Sequence, residues 1–251
     1  MGNQLDDGLH TDAMSDETCC PVVELRQYTL VRGGREVLIS LFERHFIENQ
    51  EATGMTVIGQ FRDLNNPDRF VWLRGYADMT SRARQLEEFY GGPIWKQHRE
   101  AANATMTDSD NVLLLRPARS DSGFRLENLK RPSLGSKESS NALIVATIYY
   151  LNRTAQDNFI QLFEHKLVPK LTKAGGSIVG MFVTENHPNT FPALPVREGE
   201  NVFVSFARFA NRQAYDEFAG SNPACEFEAS ADIKGKPETV LLAATARSLV
   251  R

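Results

Sequence analysis

Two stretches of this chain repeat one another's order of apolar residues, turns and glycines. Leu41-Phe42-Glu43-Arg44 returns as Leu162-Phe163-Glu164-His165, and Gly54 returns as Gly175. Val57–Phe61 returns as Ile178–Phe182, and Arg69–Tyr76 as Val202–Phe209. Internal self-similarity constrains a fold more than any single motif, because both copies must be able to take the same shape.

The first copy reads as β-α-β-β-α-β. Val22–Leu30 alternates as a strand, with Glu24, Arg26 and Tyr28 on one face. From Arg35 to Ala52 the apolar residues Leu38, Leu41, Phe42 and Phe46 recur at three and four, an amphipathic helix that Gly54 can end in a left-handed cap. Met55–Tyr76 is a hairpin around Asn65-Asn66-Pro67-Asp68. Thr80 is placed to cap a second helix that Gly91-Gly92-Pro93 ends. Ile94–Thr105 continues as helix, and Asn111–Arg116 is the last strand. This is the ferredoxin-like order. The second copy follows it from Ile144 to Ala243, with a Pro-rich insertion at Thr184–Asn201 in place of the short turn at Leu64–Arg69.

The expected fold is therefore α+β, with tandem ferredoxin-like repeats at 20–118 and 142–249. Residues 119–141, without sustained period, read as a linker, and 1–19 as a disordered acidic tail. One such unit carries helices on a single face of its sheet, so the other face must be buried elsewhere. Two units can pack sheet against sheet and close a barrel-like core, with a pocket between the sheets. In the hairpin, Val71, Leu73 and Gly75 make a small apolar face suited to helices. Gln60, Arg62, Trp72 and Arg74 would then line the pocket.

Charge excludes some functions. Residues 1–18 hold five acids and no Lys or Arg, so most of the net −4 resides there and the remainder is near neutral. No basic stripe for nucleic acid is left. No apolar run is long enough to span a membrane, and the first residues lack a signal-peptide pattern, so a cytoplasmic protein is expected. Cys19, Cys20 and Cys225 have no zinc or CxxC spacing and read as unpaired thiols.

ELRQYTL at Glu24–Leu30, GQFRDLNNPDRFVWLRGY at Gly59–Tyr76 and FYGGPIWKQHREAANATM at Phe89–Met106 resemble bacterial NIPSNAP-family proteins. The resemblance covers roughly residues 22–118 and implies a dimeric α/β-barrel, here formed within one chain. The second repeat looks like a diverged copy that lacks the Trp-Lys-Gln-His-Arg segment. Relatives in that superfamily include cofactor-independent monooxygenases, small isomerases and lyases, and haem-binding enzymes; the NIPSNAP branch implies no single reaction.

The candidate site residues lie in the first repeat. Aligned positions replace Arg26 by Thr147, Gln60 by Met181, Arg62 by Val183, Trp72 by Ser205 and Arg74 by Ala207. Arg26, Arg62 and Arg74 can hold a carboxylate, phenolate or enolate, with Gln60, Trp72, Trp95 and Arg99 around it. The alternative is that these arginines tie to Glu24, Asp63 or other acids. If 94–105 is helical, Trp95, His98, Arg99 and Ala102 share a face. His98, assisted by Tyr28, is the expected catalytic proton carrier. No histidine pair has metal spacing, so no metal is expected. No cofactor is expected either; haem, with His98 as its axial ligand, is the lesser alternative. The expected partner is a small molecule, with neither nucleic acid nor membrane, and self-association stays open. The function reads as an enzyme of the barrel type that oxygenates, isomerises or eliminates on a small aromatic or acidic metabolite. A non-catalytic ligand-binding or interaction protein is the alternative.

Overall fold

β-Branched and aromatic runs set nine strands among the described residues, and the gaps between them carry the helices. The computed structural model describes residues 18–137, 140–229 and 232–251. The acidic segment 1–17 lies outside the described residues. The elements of the first half are β1 (Val22–Leu30), α1 (Arg35–Leu41), a π-helical turn (Phe42–Phe46), α2 (Ile47–Glu51), β2 (Thr56–Asp63), β3 (Arg69–Tyr76), α3 (Met79–Gly91), α4 (Pro93–Asn103), β4 (Met106–Asp108) and β5 (Val112–Pro117). Those of the second are β6 (Leu143–Tyr150), α5 (Asp157–Lys166), α6 (Val168–Lys173), β7 (Ser177–Thr184), β8 (Val202–Phe209), α7 (Arg212–Gly220), α8 (Cys225–Glu228) and β9 (Glu238–Ala244).

Several boundaries follow from local chemistry. Gly54 takes φ +96° just after α2, the left-handed stop expected of it. Asp78, not Thr80, caps α3, accepting from the Ser81 backbone N–H at 2.6 Å; Thr80 falls inside the first turn. Gly92 then precedes α4, and Pro93 occupies its first position, where a missing N–H costs nothing.

The strands close on themselves. β1 pairs with β3 and β5, β3 with β2, β2 with β9, β9 with β6, β6 with β8, β8 with β7, and β7 returns to β5, all antiparallel. The result is an eight-stranded barrel, with β4 as an extra strand beside β1. The halves join at two seams of three residue pairs each, Phe61–Asp63 on Leu242–Ala244 and Leu115–Pro117 on Phe182–Thr184.

Barrel closure assigns the faces opposite to expectation. Leu25, Val71 and Leu73 point inward and pack with Ile144, Val204, Phe206 and Leu242 in one apolar interior. The face carrying Glu24, Arg26, Trp72 and Arg74 lies outside the barrel, covered by the first-half helices. The smooth aliphatic face suits the crowded inside of a closed sheet, where large charged side chains have no room or partner. A bulge between Val57 and Gly59 breaks the alternation along β2, so Val57 packs under the helices while Phe61 fills the barrel.

Segments beyond the strands cover the barrel. Phe124, in the stretch expected to be a linker, is buried in the barrel core, and its carbonyl accepts from the Cys19 N–H at 2.9 Å. Arg131 donates to Glu51 and to the Val57 carbonyl. The chain end returns along β2, where Val250 N–H donates to the Ile58 carbonyl at 3.2 Å. Cys19 and Cys20 are joined to each other by a disulfide, not left as thiols. Chain adjacency puts their sulfurs within reach, and Cys20 is buried against Gly75, where a Cβ would sit 2.3 Å from its Sγ.

Candidate functional site

Paired positions in a sheet lie side by side on one face. In the β1–β3 ladder Glu24 faces Arg74, Arg26 faces Trp72 and Tyr28 faces Phe70; β2 adds Gln60 opposite Trp72. Helix α3 lies over this face and lowers Arg82 into it. Four charged side chains, Glu24, Arg26, Arg74 and Arg82, are thereby removed from solvent completely.

Glu24 holds them together. Its Oε2 accepts from Arg26 Nη1 at 2.9 Å and from Arg74 Nε at 2.7 Å, and its Oε1 accepts from Arg82 Nε at 2.7 Å. Burial alone would raise the Glu24 carboxyl, but Arg74, Arg26 and Arg82 together outweigh it and hold it well below the usual range. The ion pairs among the described residues give these arginines no acid other than Glu24. Three positive charges therefore meet one negative charge. One nitrogen of each guanidinium, Nη2, is buried with no hydrogen-bond partner. Such an imbalance is costly in a dry interior unless something else supplies negative charge or acceptors.

Beside the cluster is a cavity of about 30 Å³. Leu38, Phe42, Phe46, Phe89, Trp95, Ala102 and Met106 give its apolar wall, and Tyr28, Gln50, Trp72 and Tyr90 its polar side. The arginines stand behind that polar side. Arg26 Nε donates to the Tyr28 hydroxyl at 2.8 Å; Arg74 Nη1 donates to Gln50 Oε1 at 3.0 Å and to the Tyr90 hydroxyl at 3.4 Å. Guanidiniums also lie against the rings, Arg74 4.9 Å from the Trp72 centroid and Arg26 5.4 Å from that of Tyr28. Burial pushes the Tyr28 phenol up against the pull of Arg26, so it keeps its proton at neutral pH.

The second half closes the first half's site. Its inserted loop places Asn189 Oδ1 and Thr190 Oγ1 at 3.0 and 3.2 Å from Arg82 Nη1, both accepting. Phe191 stacks on Tyr90 with ring centroids 6.0 Å apart.

The expected site residues divide. Arg26, Trp72 and Arg74 come together with Tyr28, and Trp95 reaches the same cavity; Gln60 is buried on that face with its amide unpaired. Arg62 instead makes a two-pronged pair with Glu36 on α1, at 2.8 and 2.6 Å, and stays partly exposed. His98 does not line the cavity. Its ring stacks on His45 at 3.9 Å, at the outer side of the π-helical turn. Arg99 is exposed on α4. Sequence reasoning missed Arg82, Tyr90 and the loop. Arg82 had a signal, since it shares a helix face with Leu86 and Phe89 at i+4 and i+7. The equivalent layer of the second half is apolar, with Val145 and Ala207 packed among Leu143, Phe209 and Leu241.

Among the described residues no three His, Cys, Asp or Glu side chains are grouped to hold a metal ion. Haem does not fit the residues present. Neither histidine nor cysteine lines the cavity to serve as an axial ligand.

Comparison with known proteins finds a family similarity in the first half. Residues 23–120 match the NIPSNAP family model. The NIPSNAP-matching half thus contains Glu24, Arg26, Trp72, Arg74 and Arg82, while the inserted loop lies outside it. An uncharacterised NIPSNAP-like domain protein from Burkholderia xenovorans is 28% identical over 38% of this chain and 84% of its own, with a TM-score of 0.36. Several solved structures follow nearly the whole chain. An anthrone oxidase-like protein is 14% identical, covering 92% of this chain and 94% of its own, with a TM-score of 0.51. A mutant chlorite dismutase from Candidatus Nitrospira defluvii is 10% identical, covering 90% and 92%, with a TM-score of 0.50. These two likenesses are of fold. No curated protein matches. Among the described residues no helix is long and apolar enough to cross a membrane.

Proposed function

We propose that this chain binds a small, partly aromatic metabolite bearing an anionic oxygen, between the first-half sheet and its helices. It acts on that metabolite without a cofactor, by oxygenation, isomerisation or elimination. The observation that carries the reading is the buried excess of positive charge, Arg26, Arg74 and Arg82 around Glu24, behind an aromatic cavity. Buried charge of this kind stabilises charge that develops on a bound molecule far better than it would in water. The expected surroundings are the cytoplasm, with no nucleic-acid or membrane partner.

The same reading takes the chain as two tandem copies of one ferredoxin-like unit, at 20–118 and 142–249. Matching details support it. β6 is flanked by β8 and β9 as β1 is by β3 and β5, and the bulge at Val57–Gly59 recurs at Ile178–Gly180. Asp78 and Asn211 cap the following helices in the same way. One copy keeps the polar site, and the other contributes an apolar partner and the covering loop.

Ligand entry needs movement, because the cavity is far smaller than those that hold ring-sized ligands. Trp95 on α4 and the Phe191 loop are the covers to displace. A second reading, binding without turnover, is favoured by one observation: His98 is stacked on His45 away from the cavity. Native mass spectrometry of the full chain from its natural host tests the site by seeking a retained small molecule. Incubating that molecule with the protein and looking for product then separates the readings. A molecule that is released unchanged after prolonged incubation supports binding alone; none retained and none bound on addition sinks the site.

A further inference from the structure

Two donors on the polar side of the cavity have no acceptor among the hydrogen bonds that surround them. Trp72 is 2% exposed and lines the cavity, yet its indole Nε1–H is buried without a partner. Tyr28 accepts at its oxygen from Arg26 Nε, which leaves its own O–H free to donate elsewhere. The two rings meet edge to face with centroids 6.0 Å apart, and both residues line the cavity. An indole N–H and a phenol O–H that are both unspent call for an acceptor oxygen.

We infer that the cavity takes a planar aromatic molecule by a single phenolate or enolate oxygen, received by the Tyr28 hydroxyl and the Trp72 indole N–H. This rests on the site proposed above and narrows its ligand. A carboxylate fits less well. It has two oxygens and is best held by a guanidinium facing it with two parallel N–H groups. Here the Nε and Nη1 atoms of Arg26 and Arg74 are already engaged with Glu24, Tyr28, Gln50 and Tyr90. A neutral carbonyl fits less well for another reason. The unbalanced guanidiniums behind Tyr28 and Trp72 favour an oxygen that carries charge, in surroundings of low dielectric. Arg26 is a positioning residue in this scheme: it fixes the Tyr28 hydroxyl as a donor and does not itself face the ligand.

Three nitroarenes with one body and different heads test it: 4-nitrophenol, 4-nitrotoluene and 4-nitrobenzoate, titrated against the full chain. The expected result is that 4-nitrophenol binds at least about tenfold more tightly than 4-nitrotoluene, since a site built for an oxygen leaves its donors unpaired with a methyl group. Bound 4-nitrophenol should also show the phenolate absorption at a pH where the free probe is still mostly the phenol, its proton having gone to solvent. Trp72→Phe and Tyr28→Phe should each remove most of that preference, and Arg212→Gln on α7 should not. The wild-type comparison stands even if a variant does not fold. Equal binding of 4-nitrophenol and 4-nitrotoluene, or tightest binding of 4-nitrobenzoate, overturns the inference and leaves the ligand site standing. Failure of all three to bind overturns the inference and the proposed site together.

Discussion

Glu24 and Arg82 meet at 2.7 Å across 58 residues of chain, a strand carboxylate and a helix guanidinium both sealed from solvent. The contact docks α3 onto the sheet, and through Asn189 and Thr190 it reaches the second half as well. Its energetics are asymmetric. Glu24→Gln leaves three guanidiniums without any counter-charge and should cost about 3–5 kcal/mol, the range for breaking a buried pair. Arg82→Met keeps Glu24 between two arginines and should cost distinctly less. Urea unfolding of the two variants checks the order, and the reverse order would refute the assignment of Glu24 as the anchor.

The depressed Glu24 carboxyl links stability to pH. A folded value below the unfolded one means the stabilisation is complete above the unfolded value, about 4.3. It is lost as pH falls from there through the folded value. Thermal unfolding of the wild type should therefore show no pH dependence from this group between pH 7 and 5 and a falling Tm below about pH 4. Glu24→Gln should start lower and show a shallower acid fall. Parallel Tm curves for the two proteins would mean the carboxyl is not the linked group.

Phe191 should act as part of the cover over a site it does not share a half with. Phe191→Ala removes the ring stacked on Tyr90, a contact worth about 0.5–1.5 kcal/mol beyond its buried area. Amide hydrogen exchange in α3 should speed up around Tyr90, with exchange in β6 and β8 unchanged. No change in α3 would show that the loop merely rests there.

The His45 ring is stacked on that of His98. Desolvation first, then His98 and Arg44, keep the His45 imidazole below its ordinary value. His98→Gln should raise it toward, without reaching, about 6.5 in an NMR pH titration. The same variant should leave ligand affinity unchanged, because His98 is outside the cavity. A fall in turnover of about 10²–10⁴-fold with binding intact would give His98 a proton-transfer role once the cover opens. Unchanged turnover would pass that role to Tyr28 or another group.

Much of the architecture was written in local pattern. Period-two alternation marked β1 and β3, the 3.6 period marked α1 through α2, and Gly54 and Gly91-Gly92-Pro93 marked where helices stop. The placement of Glu24, Arg26 and Tyr28 on one strand face was legible for the same reason. Alternation, however, separates two faces without saying which one closes inward. Only the closed ring of eight strands put Leu73 inside and Arg74 under the helices. The bulge at Val57–Gly59 then moved Val57 to the opposite side from Phe61. Contacts between distant segments carry no local period at all. Arg82 over Glu24, Phe191 over Tyr90 and Arg62 on Glu36 arise from how α1, α3 and the inserted loop pack. The sequence by itself determined which side chains each element could present. Tertiary packing decided which of them would share a buried site, because burial, charge balance and an unspent indole N–H exist only once those elements meet.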